Sequence, residues 1–154
     1  MNIRVINLHK RYRINERLVK IIAIQALKSC KTKRKIELEL IFLDDRSIKV
    51  LNKKYRGRNI PTDVLTFTID GADFGRKIDL GEAYISVDRA CANAVSFDTD
   101  FASELALYVI HAILHISGYE DEDPKSFRRM SKKQQEILRH IWKRQNLSKV
   151  LTPR

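Results

Sequence analysis

Residues Ile36 to Leu43 have the sequence Ile-Glu-Leu-Glu-Leu-Ile-Phe-Leu and predict a strand from which the fold can be worked outward. Apolar and acidic residues alternate strictly from Ile36 to Leu40. Successive side chains of a strand point to opposite faces, so this alternation is typical of a strand with one buried face. Ile41, Phe42 and Leu43 then extend the run with apolar residues only.

The flanking sequence predicts both strands and helices. The predicted strands lie at about residues 3–8, 63–69 and 79–87, and the predicted helices at about residues 14–29, 44–55, 88–96, 100–117 and 124–146. Pro61 ends the short second helix, and Gly71 and Gly75 form a turn before the last strand. Strands come early and helices late, so we expect an α+β fold with a small mixed β-sheet and about five packed helices. Residues 1–154 are most simply one domain.

The composition excludes several classes of protein. Cys30 and Cys91 stand far apart in no paired motif, which argues against a disulfide scaffold and against a cysteine-ligated zinc site. No apolar run approaches the roughly 18 residues that a membrane span needs. The first residues lack the apolar stretch and cleavage site of a secretory signal. We therefore expect a cytoplasmic protein with no membrane partner.

The charge balance indicates an anionic partner. The formal net charge is +11 and the sequence pI is about 9.8. A field of this sign attracts polyanions, of which nucleic acid is the commonest in a cytoplasm. The alternative is a basic surface without a specific partner.

The segment His111-Ala112-Ile113-Leu114-His115-Ile116-Ser117-Gly118-Tyr119-Glu120-Asp121 has the pattern of a metal site. Positions i and i+4 of a helix share one face, so His111 and His115 can reach the same ion. Gly118 is suited to end the helix, and the acidic run 120–123 follows at once, where a carboxylate can complete the site. The alternatives are two histidines without a ligand and an acidic turn that caps a helix starting near Pro124.

A protease is disfavoured. The zincin motif needs a glutamate directly after the first histidine as general base, and Ala112 occupies that position. An open metal site still supports hydrolysis, because the ion acidifies a bound water and polarises a phosphoryl oxygen.

Three blocks of the sequence resemble the YbeY family, bacterial metal-dependent endoribonucleases of ribosomal RNA maturation. His111 to Asp121 is similar to the family signature His-Gly-x-Leu-His-Leu-x-Gly-Tyr-Asp-His. Leu51 to Phe67 contains Leu-Asn-Lys-Lys-Tyr-Arg-Gly and Pro-Thr-Asp-Val-Leu-Thr-Phe, and Leu80 to Ser86 reads Leu-Gly-Glu-Ala-Tyr-Ile-Ser; both resemble family blocks. The blocks occur in the family's order.

The resemblance implies a single metal-dependent ribonuclease-like domain over residues 1–154. Its expected function is a single-strand-preferring endoribonuclease in ribosomal RNA maturation and ribosome quality control, with ribosomal RNA and the small ribosomal subunit as partners. By position it implies His111 and His115 as metal ligands and Arg56 as catalytic. Asp121 stands where the family has a third metal-binding histidine, and we expect it to substitute as a ligand. The expected cofactor is one Zn²⁺ per chain, and another divalent transition metal is an alternative.

Asp121 also keeps open an alternative function, a non-catalytic ribosome-associated RNA-binding factor with a structural metal. Glu104 lies two turns before His111 on the same predicted helix and is a candidate for orienting its imidazole.

Two basic segments are candidates for RNA contact. Lys53, Lys54, Arg56 and Arg58 lie within six residues that also contain Tyr55, so guanidinium groups can hold phosphates while the ring stacks on a base. A solvated helix end is the alternative. From Lys125 to Arg154 the chain has many cations and one acidic residue, Glu136. The apolar residues of this segment predict a buried helix face opposite an exposed basic face: Phe127, Met130, Ile137, Leu138, Ile141 and Trp142.

Overall fold

The predicted strand at Ile36 lies in the interior of the main sheet. A computed structural model describes residues 2–32 and 34–154. In this part of the chain, β3 (Lys35–Leu43) pairs in parallel with β1 (Ile3–Asn7) and with β5 (Ile78–Ser86). At the other edge β4 (Val64–Ile69) is antiparallel to β5, giving the order β1-β3-β5-β4. The mixed sheet is therefore confirmed.

Five α-helices accompany the sheet in the described residues, which confirms the α+β class. They are α1 (Glu16–Ser29), α2 (Asp45–Arg56), α3 (Val87–Ser96), α4 (Phe101–Ile116) and α5 (Pro124–Trp142), with a 3₁₀ turn at Gly71–Phe74. The predicted boundaries differ from these by a few residues at most. The largest difference is at the end of α5, which stops at Trp142 and not near residue 146.

Two short strands were missed by the sequence patterns. β2 (Tyr12–Ile14) pairs antiparallel with β6 (Leu151–Pro153) to form a second, small sheet. Each strand has only three residues, too few for a visible alternation of apolar and polar positions. The pairing joins segments from opposite ends of the chain, so only the folded structure brings them together.

Helix α4 is the most deeply buried helix of the fold. Its apolar side chains pack against α1, α3, α5 and the sheet. Ile110, Ile113 and Leu114 have no exposed surface. Each such side chain contributes about 1.5–3 kcal/mol relative to its exposed form. Packing on several sides therefore fixes the position of the C-terminal end of α4, where the two histidines lie.

Helix α2 lies on the other face of the sheet and is held by less packing. Its only buried residues are Ile48 and Asn52. Ile48 packs in a small cluster with Ile41, Leu43 and Leu65. The Asn52 amide Nδ2 donates a hydrogen bond to the carbonyl of Ile60 at 2.8 Å, which ties the loop after α2 back to the helix.

Candidate metal centre

The chain reverses sharply after α4. Gly118 has φ +97°, a left-handed conformation that residues with a Cβ rarely adopt. The Tyr119 N–H donates to the carbonyl of Leu114 at 3.0 Å and closes the turn. The acidic run is thereby directed back along the helix toward the two histidines.

Three predicted ligand residues converge on one point. The Nε2 atoms of His111 and His115 are 3.0 Å apart. Oδ2 of Asp121 lies 3.4 Å from Nε2 of His115 and 3.8 Å from Nε2 of His111. Ligand atoms bound tetrahedrally at about 2.0–2.1 Å from a zinc ion are roughly 3.3 Å from each other. The donor set and its spacing therefore fit one small divalent cation with further positions open to solvent.

The second nitrogen of each imidazole faces a hydrogen-bond acceptor. Nδ1 of His115 is 3.1 Å from the carbonyl oxygen of Tyr119, and Nδ1 of His111 is 3.2 Å from Oε1 of Gln134. When Nδ1 carries the ring proton and donates it to these oxygens, the Nε2 lone pair of each ring is directed at the convergence point. Two lone pairs that face each other at 3.0 Å repel unless a cation or proton lies between them.

The electrostatic surroundings favour the neutral form of His111. Burial lowers its pKa, and the nearby His115 acts in the same direction, while Asp121 and the Gln134 hydrogen bond oppose the shift. A neutral imidazole is the form that binds a metal.

The acidic run has two roles in the structure. Asp121 is the member that reaches the histidines. Asp123 caps α5, because its carboxylate accepts a hydrogen bond from the Ser126 N–H at 2.9 Å, and Pro124 is the first residue of the helix. The capping prediction is confirmed, and it coexists with the approach of Asp121 to the candidate metal position.

Glu104 does not orient His111. Its carboxylate accepts a hydrogen bond from the Thr99 hydroxyl at 2.8 Å, and Gln134 of α5 occupies the position beside the imidazole. Gln134 was missed by the sequence patterns because it lies 23 residues after His111 and belongs to no local motif.

A polar cleft of about 740 Å³ opens at the three converging residues. Besides these three, its walls include Arg56, Asp63, Glu104, Tyr108, Glu122 and Gln134. Of the four predicted RNA-binding cations, Arg56 lines the cleft, whereas Lys53, Lys54 and Arg58 are exposed on the surface beside it. The Lys54 ammonium lies 5.2 Å from the centre of the Tyr55 ring.

Asp63 and Tyr108 form a hydrogen-bonded wall of the cleft. The Asn93 amide contacts both the Tyr108 hydroxyl and, at 3.5 Å, the Asp63 carboxylate. Partial removal from solvent raises the pKa of Asp63, while the nearby Arg89 acts in the opposite direction. Burial also raises the pKa of Tyr108, so its hydroxyl stays protonated at neutral pH and can donate.

The predicted basic face of α5 is exposed, but its apolar face differs from the prediction at Phe127 and, in part, at Trp142, which is only half-buried. Met130, Ile137, Leu138 and Ile141 are buried as predicted. Phe127, in the first turn of the helix, is not buried: 56% of its surface is exposed.

Comparison with known proteins shows the family of the chain. The model of the family described as Endoribonuclease YbeY matches residues 4–142. The chain belongs to this YbeY family. The curated Endoribonuclease YbeY of Neorickettsia sennetsu is 36% identical over 117 residues, covering 76% of this chain and 81% of that protein. The one from Syntrophus aciditrophicus is 34% identical over 144 residues, covering 90% and 88%.

A solved structure has the same fold. The solution structure of TM1509 from Thermotoga maritima matches with a TM-score of 0.62 and 30% identity, covering 92% of this chain and 89% of that one. Within residues 2–32 and 34–154, no helix is long and apolar enough to cross a bilayer.

Proposed function

We propose that this member of the YbeY family is a metal-dependent endoribonuclease that prefers single-stranded RNA. The observation that carries the proposal is the convergence of His111, His115 and Asp121 within 4.8 Å at the base of a polar cleft. The relatives named Endoribonuclease YbeY support the cleavage of RNA, and the basic surface beside the cleft supports a polyanionic substrate.

The three residues would hold one divalent ion, for which zinc is our first choice. Two imidazoles and one carboxylate form a ligand set that catalytic zinc accepts. When bound, the ion supplies a Lewis acid and lowers the pKa of a coordinated water. The carboxylate of Asp121 partly offsets the charge of the ion and makes harder ions such as manganese or iron more competitive than three imidazoles would.

Arg56 is the proposed catalytic residue of the chain itself. Its side chain lines the cleft that contains the three candidate ligands. A guanidinium in this position pairs with the phosphate oxygens and stabilises the negative charge that develops during cleavage. Lys53, Lys54 and Arg58 lie outside the cleft and are suited to binding the flanking phosphates of the strand.

The biological setting that we propose is ribosomal RNA maturation and ribosome quality control in the cytoplasm. Ribosomal RNA and the small ribosomal subunit are the proposed partners, and residues 1–154 act as one domain. The family relationship and the net charge of +11 support this setting.

The test combines metal content with cleavage of a structured ribosomal RNA fragment. We expect one ion per chain in the purified protein, cleavage in single-stranded regions, and loss of both ion and cleavage on chelation. The variant His115→Ala should lose both as well. Loss of metal in this variant with unchanged cleavage would indicate a contaminating nuclease and would remove the support for the proposal.

Asp121 separates the proposed enzyme from the alternative, a non-catalytic RNA-binding factor with a structural metal. Asp121→Ala should weaken metal binding, and Asp121→His should retain the ion and increase the preference for zinc over manganese. If Asp121→Ala bound metal with unchanged stoichiometry and affinity, Asp121 would be excluded as a ligand. Bound metal and RNA affinity without any cleavage by the wild-type protein would favour the non-catalytic factor.

A further inference from the structure

Phe127 is an exposed aromatic side chain at a position where the sequence predicts a buried one. It belongs to the first turn of α5, and 56% of its surface is exposed. A single exposed apolar residue is common on protein surfaces and needs no explanation by itself. Its specific use follows from its place on α5, where Gln134 lines the cleft and several cations are exposed.

Two hydrogen bonds define how α4 and α5 lie against each other. The Trp142 indole N–H donates to the Ser103 hydroxyl at 3.1 Å, and Gln134 contacts His111 at 3.2 Å. From the first contact to the second, the residue number on α5 rises by eight, from 134 to 142, while the residue number on α4 falls by eight, from 111 to 103. The two helices therefore run antiparallel and side by side.

The same alignment places Phe127 beyond Gln134, next to the C-terminal end of α4. Phe127 is seven residues before Gln134 in the sequence, so it lies about 10 Å further along α5 at 1.5 Å per residue. This step brings it level with the C-terminal end of α4, where His115 and the turn to Asp121 lie. Seven residues are nearly two full turns, so Phe127 and Gln134 share one side of α5 to within about 20°.

The cations of α5 lie on the adjacent side. Arg128, Lys132 and Arg139 are rotated from Phe127 by about 100–140° on the helix, away from the buried face. All three are exposed, and we call them the basic stripe. Phe127 is not among the residues that line the cleft; it lies outside the cleft, on the side of α5 that it shares with the cleft-lining Gln134 and next to the basic stripe.

A single-stranded nucleic acid fits this arrangement. Its phosphates are attracted to the basic stripe, and an unpaired base presents a flat apolar face that stacks on an aromatic ring. Bases inside a duplex are already stacked on each other and cannot use the ring. We propose that Phe127 is the stacking platform for an unpaired base of the RNA strand that enters the metal cleft. This inference rests on the proposed function, and it names the residue that would give the enzyme its preference for single-stranded RNA.

The test measures binding of a 2′-O-methyl oligoribonucleotide that contains 2-aminopurine, whose fluorescence is quenched by stacking. The oligonucleotide is used single-stranded and as a duplex with the metal-loaded protein, and its integrity is checked on a gel. Phe127→Ala removes the ring, Phe127→Leu keeps an apolar side chain without a ring, and Phe127→Trp keeps an aromatic face. Phe74→Ala is the matched control, because Phe74 is also an exposed phenylalanine, at 72%, but belongs to the 3₁₀ turn and not to α5.

We expect Phe127→Ala and Phe127→Leu to weaken single-strand binding by about 5- to 160-fold and to abolish the quench, since stacking of one base contributes about 1–3 kcal/mol. Phe127→Trp and Phe74→Ala should bind as the wild type does, and duplex affinity should not change in any variant. Unchanged single-strand affinity in Phe127→Ala, or full affinity in Phe127→Leu, would overturn the inference.

Cleavage by the wild-type protein distinguishes this inference from the proposed function. If the wild type cleaves and binds RNA while Phe127→Ala binds equally well, only the stacking role is wrong. If the wild type neither binds nor cleaves RNA, the proposed function fails and the stacking role fails with it.

Discussion

Two helix ends border the polar cleft with the candidate metal ligands, and different amounts of packing hold them. Helix α2 ends at Arg56 before Gly57, with φ +70°, and α4 ends at Ile116 shortly before Gly118, with φ +97°. Both ends thus use a left-handed glycine and are followed by polar residues. However, α2 buries two residues, whereas α4 buries eleven.

The difference matches the role proposed for each end. A metal site needs its donor atoms held to within about 0.5 Å, and dense packing of α4 supplies that rigidity to His111 and His115. Phosphate binding acts over longer distances and tolerates several side-chain positions, so the lightly packed end of α2 can present Lys53 and Arg58 to solvent. Arg56 connects the two regions because it belongs to α2 and lines the cleft.

Removal of a candidate ligand from the rigid end should have the largest effect. His115→Ala is expected to weaken metal binding by more than the roughly 100-fold that changes outside the ligand set produce. Chelator competition and metal analysis would measure this loss. His140→Ala is the control, because His140 is exposed on α5 and lies outside the cluster. If His115→Ala bound metal with wild-type affinity, the densely packed end of α4 would not be the metal-binding end, and the proposed difference in role between the two helix ends would be wrong.

Arg56 should affect the reaction without affecting the metal. Arg56→Ala is expected to lower kcat by about 10²–10³, in the range found when a single charge-stabilising donor is removed. Single-turnover cleavage would measure the rate, and metal analysis should give the wild-type content. Arg58→Ala is the matched control, since Arg58 is exposed two residues away and does not line the cleft. Equal rate losses in both variants would mean that position in the cleft does not matter.

Gln134 should tune the metal site from outside it. Gln134→Ala removes the acceptor for the His111 Nδ1 proton and is expected to weaken metal binding by about 10- to 100-fold. Gln135→Ala serves as the control because Gln135 is the exposed neighbour on α5. The measurement is again chelator competition, together with thermal unfolding to verify that the fold is intact. No change in affinity would indicate that packing of α4 alone orients His111.

The exposed end of α2 should give the smallest effect, and it should depend on salt. Lys53→Ala combined with Arg58→Ala is expected to reduce the slope of log Kd against log salt by about two units, roughly one for each phosphate that the variant no longer neutralises. Binding of single-stranded RNA at several salt concentrations would measure the slope, while kcat at saturating RNA should stay near the wild-type value. An unchanged slope would exclude these two residues from RNA binding.

The sequence patterns predicted the elements of the metal centre better than their surroundings. The helical spacing of His111 and His115, the stop at Gly118 and the cap at Asp123 all depend on residues within two turns of each other. The same is true of the alternation in β3. In contrast, two features that were missed join residues far apart in the sequence: the pairing of β2 with β6 and the hydrogen bond between Gln134 and His111. The exposure of Phe127 likewise depends on which distant parts of the chain cover it. No local pattern encodes such relationships.

The amino-acid sequence by itself thus determined the α+β class, the family and the candidate ligands, because periodicity, turns and motifs act over a few residues. Tertiary structure decided which of the polar residues meet at the cleft. It brought Arg56 to the cleft wall but left Lys53 and Arg58 outside, and it directed Asp121, not Glu104, toward the imidazoles. These outcomes depend on how α2, α4 and α5 pack on the sheet, and that packing is a property of the whole chain.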